Sequence, residues 1–310
     1  MPALAAYVRR ATALAVGVAT AGVGYAAGYE RQAFTLRRFT VPVLAPGAQP
    51  LRILHLSDLH LTPGQRHKQA WVRSLAELEP DLVVDTGDNI AHPGAVDALV
   101  AALDGLLDRP GVFVMGSNDY FAPRPFNPAR YLVGPSHRQP GRPEELPHGR
   151  LRTTLGERGW VDLDNRRTVL AVDGRSVELV GVDDPHIGRD RYAHVAAPAR
   201  GDVALTIGVT HAPYRRVLDA MAADGARLLL AGHTHGGQLC LPGIGALITN
   251  CDLPPRQAKG LWPYADGSWM HVSAGLGTSP YAPVRFACRP EASLLTMVPR
   301  SDASAVTAAR

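Results

Sequence analysis

The sequence predicts an α/β fold built on a parallel sheet, and three observations carry that prediction. Between residues 51 and 115, short apolar runs alternate with segments of helical period in the order strand, helix, strand, helix, strand. Aspartate, asparagine and histidine follow those runs directly, and glycines stand beside them where the chain must turn. Strands joined through helices form right-handed parallel units, and their ligand-carrying loops gather beyond the carboxyl ends of the strands. With 310 residues and 46 % hydrophobic content, the chain has enough apolar material for one substantial domain, and its length would permit two.

Residues 1–40 stand apart from the rest as an N-terminal segment and connector. Arg9-Arg10 precede an uncharged stretch, residues 11–29, made mostly of alanine, valine and glycine. A basic start followed by an apolar run is the pattern of an export signal or a membrane anchor, here near the lower length limit for a span. Ala26-Ala27-Gly28 offers a cleavage position, and both fates of the segment, cleaved or retained, stay open. Arg31, Arg37 and Arg38 put positive charge on its far side too, so its orientation is not fixed. Residues 41–50 read as a Pro-rich connector, and the main domain is expected over 51–298.

Within that domain residues 51–57 read as a strand, 68–79 as a helix ended by Pro80, 81–86 as a strand, 94–108 as a helix and 111–115 as a strand. Residues 121–150 break the rhythm with seven prolines and five arginines. A structureless stretch of that length is either a lid over the site or a passive surface loop. Strands return at 167–172, 176–182, 202–210 and 227–231, with a helix at 214–223 and late strands at 268–273 and 293–298. Residues 299–310 read as a flexible tail.

The formal net charge is +4 and the arginines are scattered, so nucleic-acid binding has no footprint in the chain. Cys240, Cys251 and Cys288 are odd in number and lack C-x-x-C spacing, which argues against a complete disulfide framework and for small core or loop residues.

The chemistry lies at the strand ends. Asp58-Leu59-His60 closes the first strand, Gly87-Asp88-Asn89 the second and Gly116-Ser117-Asn118-Asp119 the third, while His211 and Gly232-His233-Thr234-His235-Gly236-Gly237 follow later strands. An aspartate can bridge two cations through its two oxygens, histidine supplies nitrogen to transition metals, and asparagine supplies a neutral carbonyl. Residues spaced i, i+2 in extended chain project to one side, so Asp58 with His60 and His233 with His235 each present a pair. Together these segments point to a two-metal hydrolase. Asp183-Asp184-Pro185-His186 reads chiefly as turn chemistry. His55 reads as a core or supporting residue, the glycine-rich 275–279 as a site-lining loop, and Arg285 as a contact for a phosphate group.

Over about residues 51–298 the chain resembles the calcineurin-like metallophosphoesterase superfamily, whose pattern is Asp-x-His, Gly-Asp, Gly-Asn-His-Asp/Glu, a later His and Gly-His-x-His. Leu56-Ser57-Asp58-Leu59-His60 and Gly232-His233-Thr234-His235-Gly236-Gly237-Gln238 are most similar to its bacterial YkuE-like, membrane-associated or exported branch. The resemblance implies a four-layer α/β/β/α sandwich with two central mixed sheets. It also implies two divalent metal ions, with Mn, Fe or Zn suiting the histidines better than Mg. One metal would be held by Asp58, His60, His235 and a bridging Asp88, the other by Asp88, Asn118, His211 and His233. The third motif departs from the pattern. Without a gap, Ser117 takes the asparagine place; with one extra loop residue Asn118 keeps it and Asp119 stands where the catalytic histidine belongs. The second register is the expectation, with Asp119 and Asp88 as catalytic residues. The implied reaction is hydrolysis of a phosphomonoester or phosphodiester by a two-metal-activated water, with a phospholipid or lipid-linked substrate at the cell envelope as one form of it. The alternative is a catalytically weakened metal-binding scaffold that binds a partner.

Overall fold

The computed structural model describes residues 2–125, 144–265 and 267–300. In chain order the elements are α1 (Pro2–Gly24), β1 (Thr35–Leu44), β2 (Leu51–Leu56), α2 (Arg66–Ser74), β3 (Leu82–Asp85), α3 (Val96–Ala102), β4 (Gly111–Phe113), α4 (Ser117–Tyr120), α5 (His148–Glu157), β5 (Val161–Asp162), β6 (Arg166–Val172) and β7 (Arg175–Gly181). They continue with β8 (Leu205–Val209), α6 (Arg215–Ala223), β9 (Leu228–Ala231), β10 (Cys240–Leu241), β11 (Gly245–Ala246), β12 (Gly260–Pro263), β13 (Trp269–Val272) and β14 (Glu291–Pro299).

Two six-stranded mixed sheets form the centre, ordered β1-β14-β2-β3-β4-β5 and β12-β13-β9-β8-β7-β6. In the first, β2, β3, β4 and β5 run parallel and β14 is antiparallel to β2. In the second, β7, β8, β9 and β13 run parallel, with antiparallel β6 and β12 at the edges. Alternation along each strand divides the apolar residues between layers. Ile53, Leu82, Val84, Ile207 and Leu230 meet in the core between the sheets. Leu54, Leu56 and Val83 face the other way, onto Val72, Leu99 and Leu155 of α2, α3 and α5. Leu229 and Met270 pack on Leu218 and Met221 of α6. The order helix, sheet, sheet, helix is the expected four-layer sandwich.

Three local expectations change. Residues 35–44, read in part as connector, form β1, which lies parallel to β14 at the sheet edge. Val41 and Val43 point into the inter-sheet core, and Pro42 is tolerated because an edge strand can lose one N–H. The helix expected over 94–108 is a 3-10 turn, Pro93–Ala95, followed by the short α3, and Leu103, Leu106 and Leu107 are buried in turns beyond it. A helix, α5, starts at His148 inside the stretch read as structureless; residues 126–143 of that stretch, and residues 301–310 of the tail, lie outside the described residues.

At the N-terminus α1 continues through a π-helical stretch, Tyr25–Tyr29, and a 3-10 turn, Glu30–Gln32. The 24 residues Arg9–Gln32 are long and apolar enough to cross a bilayer by length and composition, with mean hydropathy 1.4. Leu14 and Val18 are 71 % and 66 % exposed. The base of this segment is tied to the domain: Ala26 O accepts Arg285 N at 3.1 Å, and the Glu30 carboxylate accepts the amides of Ala287 and Cys288 at 3.1 and 2.6 Å.

Candidate metal centre

The loops after β2, β3 and β4 of one sheet and after β8 and β9 of the other converge, and each delivers a polar side chain. The backbone leaves its strands sharply: Asp58, His60, Asp88, His233 and His235 all have positive φ, between 42° and 68°. That left-handed conformation is costly for residues with a Cβ and is concentrated at functional sites. Gly116 and Gly232 let the loops close. A Cβ on Gly116 would fall 2.2 Å from Asp88 Oδ1, and one on Gly232 1.8 Å from Ser57 Oγ.

The sequence-predicted ligands come together. Asp58, His60 and His235 offer donor atoms within 4.8 Å of one another, and so do Asp58, Asp88 and His211. His60 Nε2 lies 3.2 Å from His235 Nε2 and 3.5 Å from Asp88 Oδ2, while His211 Nε2 lies 3.6 Å from the same Asp88 oxygen. Asp88 thus touches both groups, and Asp58 belongs to both as well. His233 Nδ1 is 3.3 Å from His211 Nε2. Asn118, not Ser117, lies on Asp88: its backbone amide donates to Oδ1 at 2.7 Å and its side-chain amide to Oδ2 at 2.8 Å.

The donor set fits a cation. Asp58 Oδ1 is buried and accepts no hydrogen bond, yet His235 Nε2 and His60 Nε2 stand 3.5 and 4.0 Å from it. A carboxylate oxygen so placed is expensive to bury unless positive charge meets it. Burial, and then neighbouring positive groups, hold the imidazoles of His60, His233 and His235 below the ordinary range, so they are neutral donors at neutral pH. His211 behaves oppositely: burial works against its charge, but the carboxylates of Asp88, Asp184 and Asp58 raise it to about 10. Its Nδ1 is fixed on Thr86 O at 2.7 Å, and Thr86 Oγ1 in turn meets His55 Nε2 at 3.0 Å, which puts His55 behind the site as expected.

Two predicted residues stand elsewhere than their expected roles require. Asp119, expected to be catalytic in the place of the family's histidine, is fully buried, and its carboxylate accepts the amides of Asp88, Asn89 and Gly116 at 2.8, 2.7 and 3.0 Å. Its oxygens are spent on holding the Asp88 loop, and burial followed by the charge of Asp88 raises it to about 7. Arg285, read as a phosphate contact, is likewise fully buried, and Nη2 donates to the carbonyls of Ala274 and Gly277, both at 2.7 Å. It shapes the loop whose Gly277 O meets His235 Nδ1 at 3.1 Å. Both placements have one origin, since spacing along a chain says that a polar residue is near a site but not which way it faces.

A cavity of about 580 Å³ opens onto the ligands, with His60, Asp88, Asn118, His233 and His235 in its wall. Sequence reasoning undervalued His186, which lines the same cavity with its ring 4.4 Å from that of His233. The turn chemistry read there is real, because Asp184 Oδ1 accepts His186 N at 2.8 Å, and that turn is what aims the ring. Asn250, whose carbonyl is 3.2 Å from His233 Nε2, and Tyr281 had no signal at all. The rest of the wall mixes Gln238, Thr249 and Ser279 with apolar residues, of which Leu239, Leu247 and Tyr281 are 50 %, 50 % and 54 % exposed.

Comparison with known proteins gives a consistent picture. The family model of the calcineurin-like phosphoesterases matches residues 51–237. The chain is 27 % identical to the phosphodiesterase YaeI of Escherichia coli over 93 % of its own length and 97 % of that protein. It is 28 % identical to the metallophosphoesterase YkuE of Bacillus subtilis, covering 92 % of this chain and 93 % of that one. A transmembrane protein with a metallophosphoesterase domain from Bos taurus is 28 % identical over 93 % of this chain, which spans 62 % of it.

Proposed function

Because the chain belongs to the calcineurin-like phosphoesterase family, and so is a hydrolase of phosphoester bonds, we propose that it cleaves a phosphodiester carried on an amphipathic, lipid-linked molecule at a membrane surface. The observation that carries the reading is the cavity itself, where metal-ligand side chains share the wall with the exposed apolar side chains of Leu239, Leu247 and Tyr281.

Asp58, His60 and His235 would hold one divalent ion and Asn118, His211 and His233 the other, with Asp88 between them. When bound, such ions lower the pKa of a water and neutralise phosphoryl oxygens. The chain's own residues do the rest. Asp119 and Arg285 fix the loops, and Thr86 orients His211. His186 is the histidine in the wall best placed to carry a proton to the departing oxygen, the task for which the third motif supplies no histidine. The name of the relative YaeI favours a diester. The membrane setting draws support from the apolar N-terminal segment, and from its junction with the cavity rim: Tyr25 packs 6.3 Å from Phe286, which bridges to Leu239 of the wall.

The test is to purify the full chain in detergent, count its metals and assay bis-(p-nitrophenyl) phosphate, p-nitrophenyl phosphate and a phospholipid in mixed micelles, with Mn supplied. Two metals per chain and preference for diesters, greatest for the lipid, are expected. Metal uptake with no turnover on any of the three would favour the scaffold instead.

A further inference from the structure

A second cavity, of about 270 Å³, shares no lining residue with the first. Its walls come from three places: Arg31 at the base of the N-terminal segment, the first turn of α2 (Arg66, His67, Lys68) and the loop 276–278. No carboxylate lines it. Lys68 is only 7 % exposed, and its Nζ donates to a single carbonyl, Leu59 O, at 2.7 Å. Burial, and then the positive charge of Arg285 and Arg31, hold that ammonium down to about 7. Arg31 Nε is buried with no hydrogen-bond partner.

The start of α2 adds to this. The helix has nine residues, no acidic residue in its first turn and no side-chain cap from Gln65. First-turn amides have no partner within a helix, though Arg66 N already donates to Gly64 O at 2.9 Å, and the dipole there favours negative charge. Arg66 and Lys68 at this end run against the usual preference, Arg31 adds its charge, and no carboxylate in the cavity wall offsets them. A tetrahedral oxyanion in the cavity would stand among Arg31, Arg66 and the start of α2, the setting in which helix N-termini hold anions.

We infer that this cavity is a second anion site, separate from the metal centre, that binds a phosphate group. Its place at the base of the apolar segment suits the headgroup of an acidic lipid, and its chemistry suits a free phosphate equally. The walls also connect it to the centre, because Lys68 holds Leu59 between Asp58 and His60, and Gly277 holds His235.

The experiment uses the full chain in detergent micelles, stripped of metal by a chelator so that the metal centre no longer retains phosphate. Inorganic phosphate is titrated by calorimetry. Saturable binding is expected, weakened at least tenfold by Arg31→Gln with Arg66→Gln, which spare the buried Lys68. The control pair Arg191→Gln with Arg200→Gln removes the same charge elsewhere and should leave the affinity unchanged. No saturable binding, or equal affinity in both double variants, would overturn the proposal. A competition arm separates the sources: displacement of phosphate by phosphatidic acid in phosphatidylcholine vesicles, but not by phosphatidylcholine alone, identifies a lipid headgroup. Retained phosphate identifies the soluble anion, and either result supports the site.

Discussion

Asp88 sits between the two ligand groups, with one oxygen 3.5 Å from His60 and 3.6 Å from His211. Its replacement by alanine should remove at least one metal per chain and lower turnover on the order of a thousandfold, since several kcal/mol of charge stabilisation go with it. Metal analysis beside single-turnover rates checks both halves. Asp119→Asn is a different kind of change. An amide has one acceptor oxygen where the carboxylate serves three backbone amides. The expected result is a loss of about 1–3 kcal/mol in stability by thermal or urea melts, with the pH profile of kcat unmoved; a shifted profile would return Asp119 to proton transfer. For His186→Ala the discriminating measurement is the leaving group. A diester with a poor alkoxide leaving group should lose about 10²-fold or more, and a p-nitrophenyl ester far less.

The loops between strand and helix are the elements that make the site, and their tolerance is small. Gly232→Ala would drive a Cβ to within 1.8 Å of Ser57 Oγ and 2.5 Å of Asp58 Oδ2. Metal content should fall while circular dichroism keeps its α/β signature, because the collision is confined to one loop. Electrostatics at these loops gives a further test. His60, His233 and His235 are already neutral near pH 7, whereas His211 retains a proton up to about 10. Metal ligation needs a bare nitrogen, so uptake near pH 8 should release about one proton per chain, seen by calorimetry in buffers of different ionisation enthalpy. Metal affinity should therefore rise with pH up to about 10. Release of three or four protons would contradict the neutral histidines.

Across the whole molecule, the apolar N-terminal segment, the 285–288 loop and the β10–β11 hairpin form one connected face. Ile244 at the hairpin tip is 74 % exposed and Leu241 44 %. Changing both to aspartate removes exposed apolar surface without touching the ligands. The expected outcome is a tenfold or greater loss of kcat/KM on a vesicle-borne phospholipid and little change on bis-(p-nitrophenyl) phosphate. Equal losses on both substrates would assign the hairpin to the fold of the site instead of to a membrane. Hydrophobic period and strand-end chemistry made most of the domain legible, from β2 through β4 and again from β6 to β9. The exceptions have physical causes. β1 was masked by Pro42 and could be known as a strand only from its pairing with β14. The helix over 94–108 stops early because Leu103, Leu106 and Leu107 are held by packing against the sheet, so their apolar spacing does not require helix.

The four layers were implied by the family resemblance, and by itself the sequence determined the order of strands and helices and the polar residues at the strand ends. Both follow from local rules: an alternating pattern fixes which face of a strand is buried, and a polar residue directly after a buried strand lies at the sheet's carboxyl edge. What tertiary structure alone decided is direction. Asp119 and Arg285 were correctly located near the site, yet both turn their charges into backbone, while His186, assigned to a turn, faces the cavity. The clustering of Arg31 with Lys68 joins a residue before the first strand to one on the helix after the second. A side chain's orientation depends on which unpaired amides, carbonyls and charges other segments bring beside it, and those segments meet only when the two sheets pack.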